Sequence, residues 1–258
     1  MNDTENYIVK HINDKRFKFP KEFNPSVEYS DEFYETIIKV FHLSKRKRYF
    51  YRFIKRIFDF FVSLICIILL IPVFIIVALA IKIDSKGPVI FKQDRMGKNF
   101  KPFKCFKFRS MAVEAPKNLS TEEMEKGKCY VTKVGRFIRK TSIDELAQLF
   151  NIFTGKMSII SYRPIILTED KLNNYRNELG VFSIKPGITG FAQVHGRDNV
   201  TYRNKALMDA YYVKHASFLL DTKLIFGSAF VILSRKNNRD NKAVDKTLIG
   251  EQSFSNGK

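Results

Sequence analysis

The longest apolar run in the chain extends from Phe60 to Ile81 and contains no charged residue. About 20 such residues cross a bilayer as one helix, so the run predicts a membrane segment. Pro72 lies in its interior, where a proline removes a helical hydrogen bond and clashes with the preceding turn. We therefore expect a break at Pro72 that leaves two arms, each too short to span a bilayer.

The two ends of the chain carry weaker patterns. Residues 1 to about 29 are polar and predict irregular structure, and the polar tail after Arg235 predicts disorder. Between Phe218 and Leu233 most positions are apolar, which predicts an amphipathic helix lying in a membrane interface. A short amphipathic helix is also predicted nearer the N-terminus by apolar residues at helical spacing, Phe33, Ile37, Val40 and Phe41.

Two β-prone runs follow the membrane segment. The first contains Val89 to Phe91, the second runs from Phe103 to Phe108, and Gly97-Lys98-Asn99 separates them, which predicts a hairpin. Alternation along the second run puts Phe103, Cys105, Lys107 and Arg109 on one face. The polar stretch 112–128 predicts a mobile surface excursion.

Charge bears on both partners and topology. The chain has 45 Lys+Arg against 26 Asp+Glu, a net charge of +19, which suits nucleic acid, anionic lipid or a phosphorylated substrate. A helix that enters the membrane, bends at Pro72 and returns keeps both basic flanks in the cytosol, so the positive-inside rule favours it over a straight span. The flanking cations are Lys45 to Arg48, Arg52, Lys55 and Arg56 before the run, and Lys82, Lys86, Lys92 and Arg95 after it.

No apolar run occurs in the first 30 residues, so we expect no cleaved signal peptide and a cytosolic N-terminus. The three cysteines, Cys66, Cys105 and Cys129, are odd in number and far apart, which predicts free thiols in a reducing compartment. The four histidines never have the i, i+4 spacing of paired metal ligands on a helix.

Candidate chemistry concentrates around Ser142-Ile143-Asp144-Glu145. A Ser followed three residues later by Glu predicts a capping box and a helix that starts at Ser142. Asp144 and Glu145 then lie in the first turn, where the helix dipole favours their ionised forms. Ordinary capping acids are the alternative interpretation of this pair.

Cations near this pair favour a binding site. Arg136, Arg139 and Lys140 directly precede the acids, at a predicted helix start whose backbone N–H groups attract anions. Lys107, Arg109 and Arg163 are further candidates for binding phosphate oxygens, in which Arg provides a planar two-donor fork. Together they predict a pocket that can hold a pyrophosphate, although each cation alone is typical of a solvated surface.

The order of these segments resembles the bacterial sugar transferases, the monotopic polyprenyl-phosphate phosphoglycosyl transferases. The resemblance covers roughly residues 52–233 and rests on the basic-flanked segment with Pro72 and on four later motifs. These are GPVIFKQDRMGKNFKPFKCFKFRSM from Gly87, VGRFIRKTSIDELAQLFNIFTGKMSII from Val134, KPGITGFAQVHGR from Lys185, and Asp209-Ala210-Tyr211-Tyr212-Val213.

The resemblance implies an α/β fold, helix-rich in the α+β sense. It comprises a small catalytic domain, an N-terminal Pro-broken re-entrant membrane helix and interfacial amphipathic helices. The expected division is an extension over residues 1–50, the membrane helix over 51–85, a catalytic domain on the cytosolic face over 86–235 and a disordered tail over 236–258. The expected location is the bacterial inner membrane.

The resemblance also implies the chemistry. Asp144 attacks the β-phosphorus of a UDP-sugar, UMP leaves, and a polyprenyl phosphate such as undecaprenyl phosphate takes the sugar phosphate from the aspartyl intermediate. Mg²⁺ is the expected cofactor, and Glu145 is the expected ligand for it, in keeping with the preference of this ion for carboxylates and substrate phosphates. The product enters capsule, exopolysaccharide, O-antigen or another glycoconjugate. The expected nucleotide and sugar region contains Pro164, Gln193, His195 and Arg197.

Four places depart from the family pattern. Ile71-Pro72 stands where Ser-Pro is expected, and Ser161-Tyr162-Arg163-Pro164 where Gly-Pro-Arg-Pro is usual. Phe191 replaces a common Trp and His195 a common Asn. The last three changes fall in the substrate region and either tune the sugar choice or are neutral.

Two alternatives remain open from the sequence. A membrane-anchored module that binds anionic lipid or nucleic acid explains the charge without catalysis, but no nucleic-acid-binding motif appears, so nucleic acid is not an expected partner. An inactive scaffold of the same fold is the other alternative. Asp144-Glu145 at a basic site favours the enzyme, because a binder of polyanions gains nothing from two acids there.

Overall fold

The computed structural model describes residues 1–14, 17–43, 49–115, 130–195 and 200–234. Helices dominate, and the described strands form two small two-stranded sheets, so the predicted helix-rich α/β class is confirmed. Most of the predicted excursion at 112–128 and the predicted tail after Arg235 lie outside the described residues, as does Cys129.

The described part of the N-terminal extension contains two helices. The predicted helix exists as α2, Asp31–Leu43. The prediction of irregular structure before it is wrong for α1, Asp3–His11, which begins with a capping box between Asn2 and Glu5. α1 carries few apolar residues, but Ile8 is fully buried in the core and the Glu5 side chain also accepts from the Ser30 N–H at 2.7 Å, so tertiary contacts stabilise this short helix.

The membrane segment forms α3, Tyr49–Asp84, with Pro72 inside it. Its arms, Tyr49–Leu69 and Ile71–Asp84, meet at an angle of 62°, which confirms the predicted break. Pro72 cannot donate to the carbonyl of Ile68, which explains why the helix bends here. In the described part of the chain no single helix is long and apolar enough to cross a membrane. The two bent arms meet this length and composition only when they are taken together.

The predicted hairpin is present. β1, Ile90–Met96, pairs antiparallel with β2, Pro102–Phe108, in a register that joins Ile90 to Phe108 and Met96 to Pro102. The connection bends at Asn99 and Phe100, which both have positive φ. This tight turn makes β2, with Lys107, run back alongside β1.

The remaining elements follow in short segments. They are α4 Lys133–Lys140, α5 Gln148–Phe153, β3 Ser158–Ile160, α6 Asp170–Glu178, β4 Gly187–Thr189, α7 Phe191–His195, α8 Tyr202–His215 and α9 Phe218–Ser234. β3 and β4 pair in parallel. The predicted helix over 218–233 is thus confirmed as α9, and large apolar side chains on it are exposed, Phe226 by 70% and Phe230 by 71%.

The largest core cluster joins the extension to the rest of the chain. It contains Ile8, Ile12 and Phe33 from the extension together with Tyr162, Leu207 and Tyr212. Beneath it, Arg176 on α6 donates from Nε and Nη2 to Asp209 on α8, at 2.9 and 2.6 Å, and neither side chain is exposed. Asp209 of the recognised motif therefore serves to join two helices.

Both arms of α3 contact the rest of the fold. Arg56 on the first arm donates to the carbonyls of Ile152 and Phe153 at 2.7 and 2.8 Å, at the C-terminal end of α5. Val77 and Ile81 on the second arm pack with Phe108 in a smaller core cluster. The bend at Pro72 therefore lies between two anchored arms.

Candidate active site

The two candidate acids lie on a short 3-10 segment, Ile143–Ala147, and α5 begins only at Gln148. The predicted capping box is wrong: Ser142 adopts a left-handed conformation with φ 58° and its side chain makes no capping bond. The Glu145 side chain turns to cations instead, because ion pairs with Lys107 and Arg163 satisfy it better than one backbone N–H.

Glu145 is held by two cations. Lys107 Nζ donates to Oε1 at 3.0 Å, and Arg163 donates from Nη1 to Oε2 at 2.9 Å and from Nη2 to Oε1. Burial alone would raise the pKa of Glu145, but the charges of Arg163 and Lys107 outweigh it and hold this pKa well below its usual range. The same pairing raises the pKa of Arg163. Glu145 is therefore ionised and fully engaged.

Asp144 is placed differently. It is 8% exposed, and its nearest cation in an ion pair, Lys107, lies 3.8 Å from Oδ2. Burial raises the pKa of Asp144, and the charge of Glu145 adds to this, while Lys107 and Arg139 oppose it. The two adjacent acids thus differ. The negative charge of Glu145 is balanced by two cations, whereas Asp144 has a raised pKa and a longer ion pair with Lys107.

Lys107 is positioned by a contact that the sequence pattern did not reveal. Asn151 on α5 accepts from the Phe106 N–H and donates to the Lys104 carbonyl, both at 2.8 Å, so one amide side chain holds β2 beside the 3-10 segment. The signal for this role in the sequence is a polar residue between Phe150 and Ile152 on an apolar helix.

The segment that carries Arg163 is fixed from both sides. Ser161 donates from its backbone N–H to the Thr189 carbonyl at 2.9 Å, and Gly187 donates to the Tyr162 carbonyl at 2.8 Å. From the hairpin, Arg95 Nη1 donates to the Pro164 carbonyl at 2.6 Å. Arg95 had been assigned only to the basic flank, and no local pattern indicates its role here.

The other predicted cations divide into three groups. Arg139 acts on Asp144 through its charge. Arg136 and Lys140 are exposed on α4. Arg109 is buried and donates from Nη2 to the Ser85 carbonyl and hydroxyl at 2.6 and 2.8 Å, so it contacts the chain just after α3.

The predicted nucleotide and sugar region centres on α7. Gln193 has a buried amide whose Oε1 and Nε2 have no hydrogen-bond partner among the described residues. His195 is exposed, stacks on Phe191 with ring centroids 4.0 Å apart, and its Nδ1 lies 2.9 Å from the Phe191 carbonyl oxygen. Arg197 lies outside the described residues.

The acids offer hard oxygen donors, but not a complete metal site. In the described ranges no group of three or more His, Cys, Asp or Glu side chains could hold an ion. Mg²⁺ is commonly held by one or two carboxylates plus substrate phosphates, and Asp144 with Glu145 fits that mode. Glu145 could ligate the ion only after releasing Lys107 or Arg163.

The chain combines a bent apolar helix pair, a hairpin and an Asp-Glu pair among cations. Residues 50–235 match the bacterial sugar transferase family, and the chain belongs to it. The resemblance inferred from the motifs is therefore confirmed.

Three relatives illustrate the family. The chain is 40% identical over 185 residues to a UDP-glucose:undecaprenyl-phosphate glucose-1-phosphate transferase of Klebsiella pneumoniae, covering 68% of this chain and 39% of the relative. It is 37% identical over 209 residues to an undecaprenyl-phosphate galactose phosphotransferase of Salmonella typhimurium, covering 75% and 43%. It is 36% identical over 195 residues to an exopolysaccharide production protein of Rhizobium leguminosarum, covering 70% and 96%.

The chain therefore spans about two fifths of the length of several curated relatives and nearly all of a shorter one. The matched part of this chain includes the bent helix and the acidic pair.

Proposed function

We propose that this chain transfers a sugar 1-phosphate from a UDP-sugar to undecaprenyl phosphate, releasing UMP, through a covalent intermediate on Asp144. The observation that carries this proposal is the unequal charge balance of the acidic pair. Glu145 accepts from Lys107 and Arg163, whereas Asp144 is buried with a raised pKa and its Oδ2 lies 3.8 Å from Lys107 Nζ. A buried carboxylate with a raised pKa is suited to act as a nucleophile once it is ionised.

In the first step an Asp144 oxygen forms a bond to the β-phosphorus of the UDP-sugar, and the bond from this phosphorus to the bridging oxygen of UMP breaks. UMP leaves with the electron pair of that bond. In the second step an oxygen of the lipid phosphate attacks the same phosphorus and the Asp144 carboxylate is released. The products are UMP and an undecaprenyl diphosphate sugar, and no proton or electron has to be supplied from outside.

Lys107 and Arg163 supply the charge that this step needs. Both contact Glu145, so they lie together on one side of the acidic pair. A pyrophosphate brings oxygens that compete with Glu145 for these donors, and the transition state for phosphoryl transfer is stabilised mainly by positioning and electrostatics. Glu145 thus holds two cations in place for the substrate.

Mg²⁺ completes the proposed site. When bound, the ion neutralises phosphate charge and polarises the phosphoryl oxygens. Glu145 would provide the protein ligand, and it would become available as its cations move to the substrate.

Gln193 provides the proposed contact to the nucleotide or sugar. Its buried amide offers two donors and an acceptor, and leaving such groups unpaired costs free energy. Hydroxyls of a sugar or the edge of a uracil ring present the complementary pattern. His195, close by on the exposed end of α7, belongs to the same region.

The surface suits a lipid acceptor at the cytosolic face of the bacterial inner membrane. Large apolar side chains are exposed along both arms of α3, among them Leu69, Ile76 and Ile83 at 71, 66 and 87%. A patch of this extent is typical of membrane or protein contact. With basic residues at both ends of the segment, a re-entrant insertion fits the bend and an anionic lipid surface fits the charge.

The proposed function is tested by UMP release from purified full-length protein with undecaprenyl phosphate, Mg²⁺ and a panel of UDP-sugars. One sugar should support repeated turnover, beyond one UMP per protein, that depends on the lipid and stops in EDTA. Asp144→Asn is the matched inactive variant. Absence of release with every sugar, or equal release by Asp144→Asn, contradicts the proposal.

A further inference from the structure

The N-terminal extension lies outside the family match, which begins at residue 50, yet it contacts the substrate region. Phe19 lies against Phe191, the first residue of α7, with ring centroids 6.1 Å apart. Phe19 also packs on Tyr211 of α8 at 5.2 Å and stacks on Phe23 at 4.4 Å. An aromatic cluster of the extension thus supports the start of α7.

A second set of contacts fixes the start of α8. The Thr201 N–H donates to the Pro25 carbonyl at 3.1 Å. Asn204, fully buried, donates to the carbonyls of Pro25 and Val27 at 3.1 and 2.6 Å and accepts from the Tyr34 hydroxyl at 2.8 Å. The extension therefore holds the chain both at residue 191 and at residues 201–204.

The residue directly before α7 lies against the Arg163 segment. A Cβ built on Gly190, directly before α7, would lie 1.9 Å from the Ser161 carbonyl oxygen, so the chain approaches this segment as closely as only glycine allows. The start of α7 is thus in contact with both the segment that carries Arg163 and the aromatic cluster of the extension. Gln193, with its unpaired amide, is the central residue of α7.

We infer that residues 17–29 are a positioning element for the donor substrate: through Phe19 and Phe191 they fix α7 so that the Gln193 amide meets the UDP-sugar. This inference rests on the proposed function. Phe191 is buried, and the rings of Phe19 and Tyr211 both lie against it, at centroid distances of 6.1 and 4.8 Å. The extension therefore contributes directly to the packing around residue 191.

Phe19→Ala tests the inference in the full-length protein. The smaller side chain leaves α7 without its support, so KM for the UDP-sugar should rise about tenfold while kcat stays within about twofold, because the acidic pair and its cations are untouched. Ile8→Ala is the matched control. Ile8 is fully buried in α1 of the same extension, so this variant should melt earlier and keep the wild-type KM well below its melting temperature.

Phe191→Trp provides a test of direct contact. The larger ring should crowd Phe19 and raise KM when introduced alone, and it should fill the space and restore KM when combined with Phe19→Ala. Purely additive effects of the two changes, or an equal rise of KM in Ile8→Ala, would overturn the inference. A wild-type chain without UMP release would instead contradict the proposed function, so the two failures are distinguishable.

Discussion

At the scale of single residues, Asp144 and Glu145 are adjacent, but their pKa values shift in opposite directions. The pKa of Asp144 is raised, chiefly by burial, and that of Glu145 is lowered because the charges of Arg163 and Lys107 overcome burial. A raised folded-state pKa means that the ionised Asp144 costs stability above that pKa. A lowered one means that Glu145 contributes stability above its unfolded-chain pKa, and that this contribution is lost as pH falls through the folded value.

Substitutions of the two acids should therefore separate activity from stability. At pH 7 we expect Asp144→Asn to lower turnover at least about a thousandfold while the melting temperature stays the same or rises. Glu145→Gln should retain some turnover but unfold more readily, by about 1–3 kcal/mol, because Lys107 and Arg163 lose a charged partner. Thermal unfolding and UMP release measured on the same samples give both quantities. A large loss of stability in Asp144→Asn would show that ionised Asp144 stabilises the fold, which contradicts its raised pKa.

Lys107 should set the acid limb of the pH profile. Its positive charge opposes the rise of the Asp144 pKa, so Lys107→Met should raise that pKa further. Because the nucleophile must be ionised, activity is lost as pH falls through the Asp144 pKa, and the acid limb of kcat/KM should move to higher pH. Lys104→Met on the same strand is the control, since Lys104 pairs with Asp94 at the surface. An acid limb that stays in place would show that Lys107 does not act on Asp144.

At the scale of secondary-structure elements, the site depends on how β2 is held against α5. Asn151 bridges the two through both atoms of its buried amide. Asn151→Ala should leave the Phe106 N–H and the Lys104 carbonyl unpaired and lower the free energy of unfolding by about 2 kcal/mol, with a loss of activity because Lys107 shifts. Urea unfolding measures the first effect. Asn174→Ala, at an exposed position of α6, should leave both unchanged.

Sequence predicted the elements that carry strong local patterns and missed those set by distant contacts. The hairpin followed from two β-prone runs around Gly97, and the break in α3 followed from Pro72. The three-residue strands β3 and β4 are too short to carry a pattern, and a parallel pair joins residues far apart in the chain. The helix start at Ser142 was misjudged because cations from β2 and residue 163 attract the Glu145 side chain, so tertiary charge overrides local capping.

Within the site, the motifs indicated which residues matter, and the structure shows how they are positioned. The motifs indicated the acidic pair with Lys107 and Arg163, and the structure brings these four together. Arg95 was missed because its role is to hold a carbonyl from a segment about 70 residues away in sequence. Such contacts form only in the folded chain, and they leave no local pattern in the sequence.

At the scale of the whole molecule, the two arms of α3 should enter and leave the membrane on the same side. Cysteines introduced by Arg52→Cys and Lys86→Cys should both react with a membrane-impermeant maleimide only from the cytosolic side, because both flanks are basic. Inverted and right-side-out vesicles distinguish the two sides. The parent chain, with its own cysteines, sets the background. Labelling of either position from the periplasm would rule out re-entrant insertion.

In the proposed reaction Asp144 carries the sugar phosphate between the two substrates, and this step can be observed directly. Full-length protein incubated with Mg²⁺ and the active UDP-sugar, without lipid, should gain the mass of one sugar phosphate on the peptide that contains Asp144. Subsequent addition of undecaprenyl phosphate should remove it. Lipid-dependent turnover without this adduct at any time, or an adduct that persists in Asp144→Asn, would contradict the account.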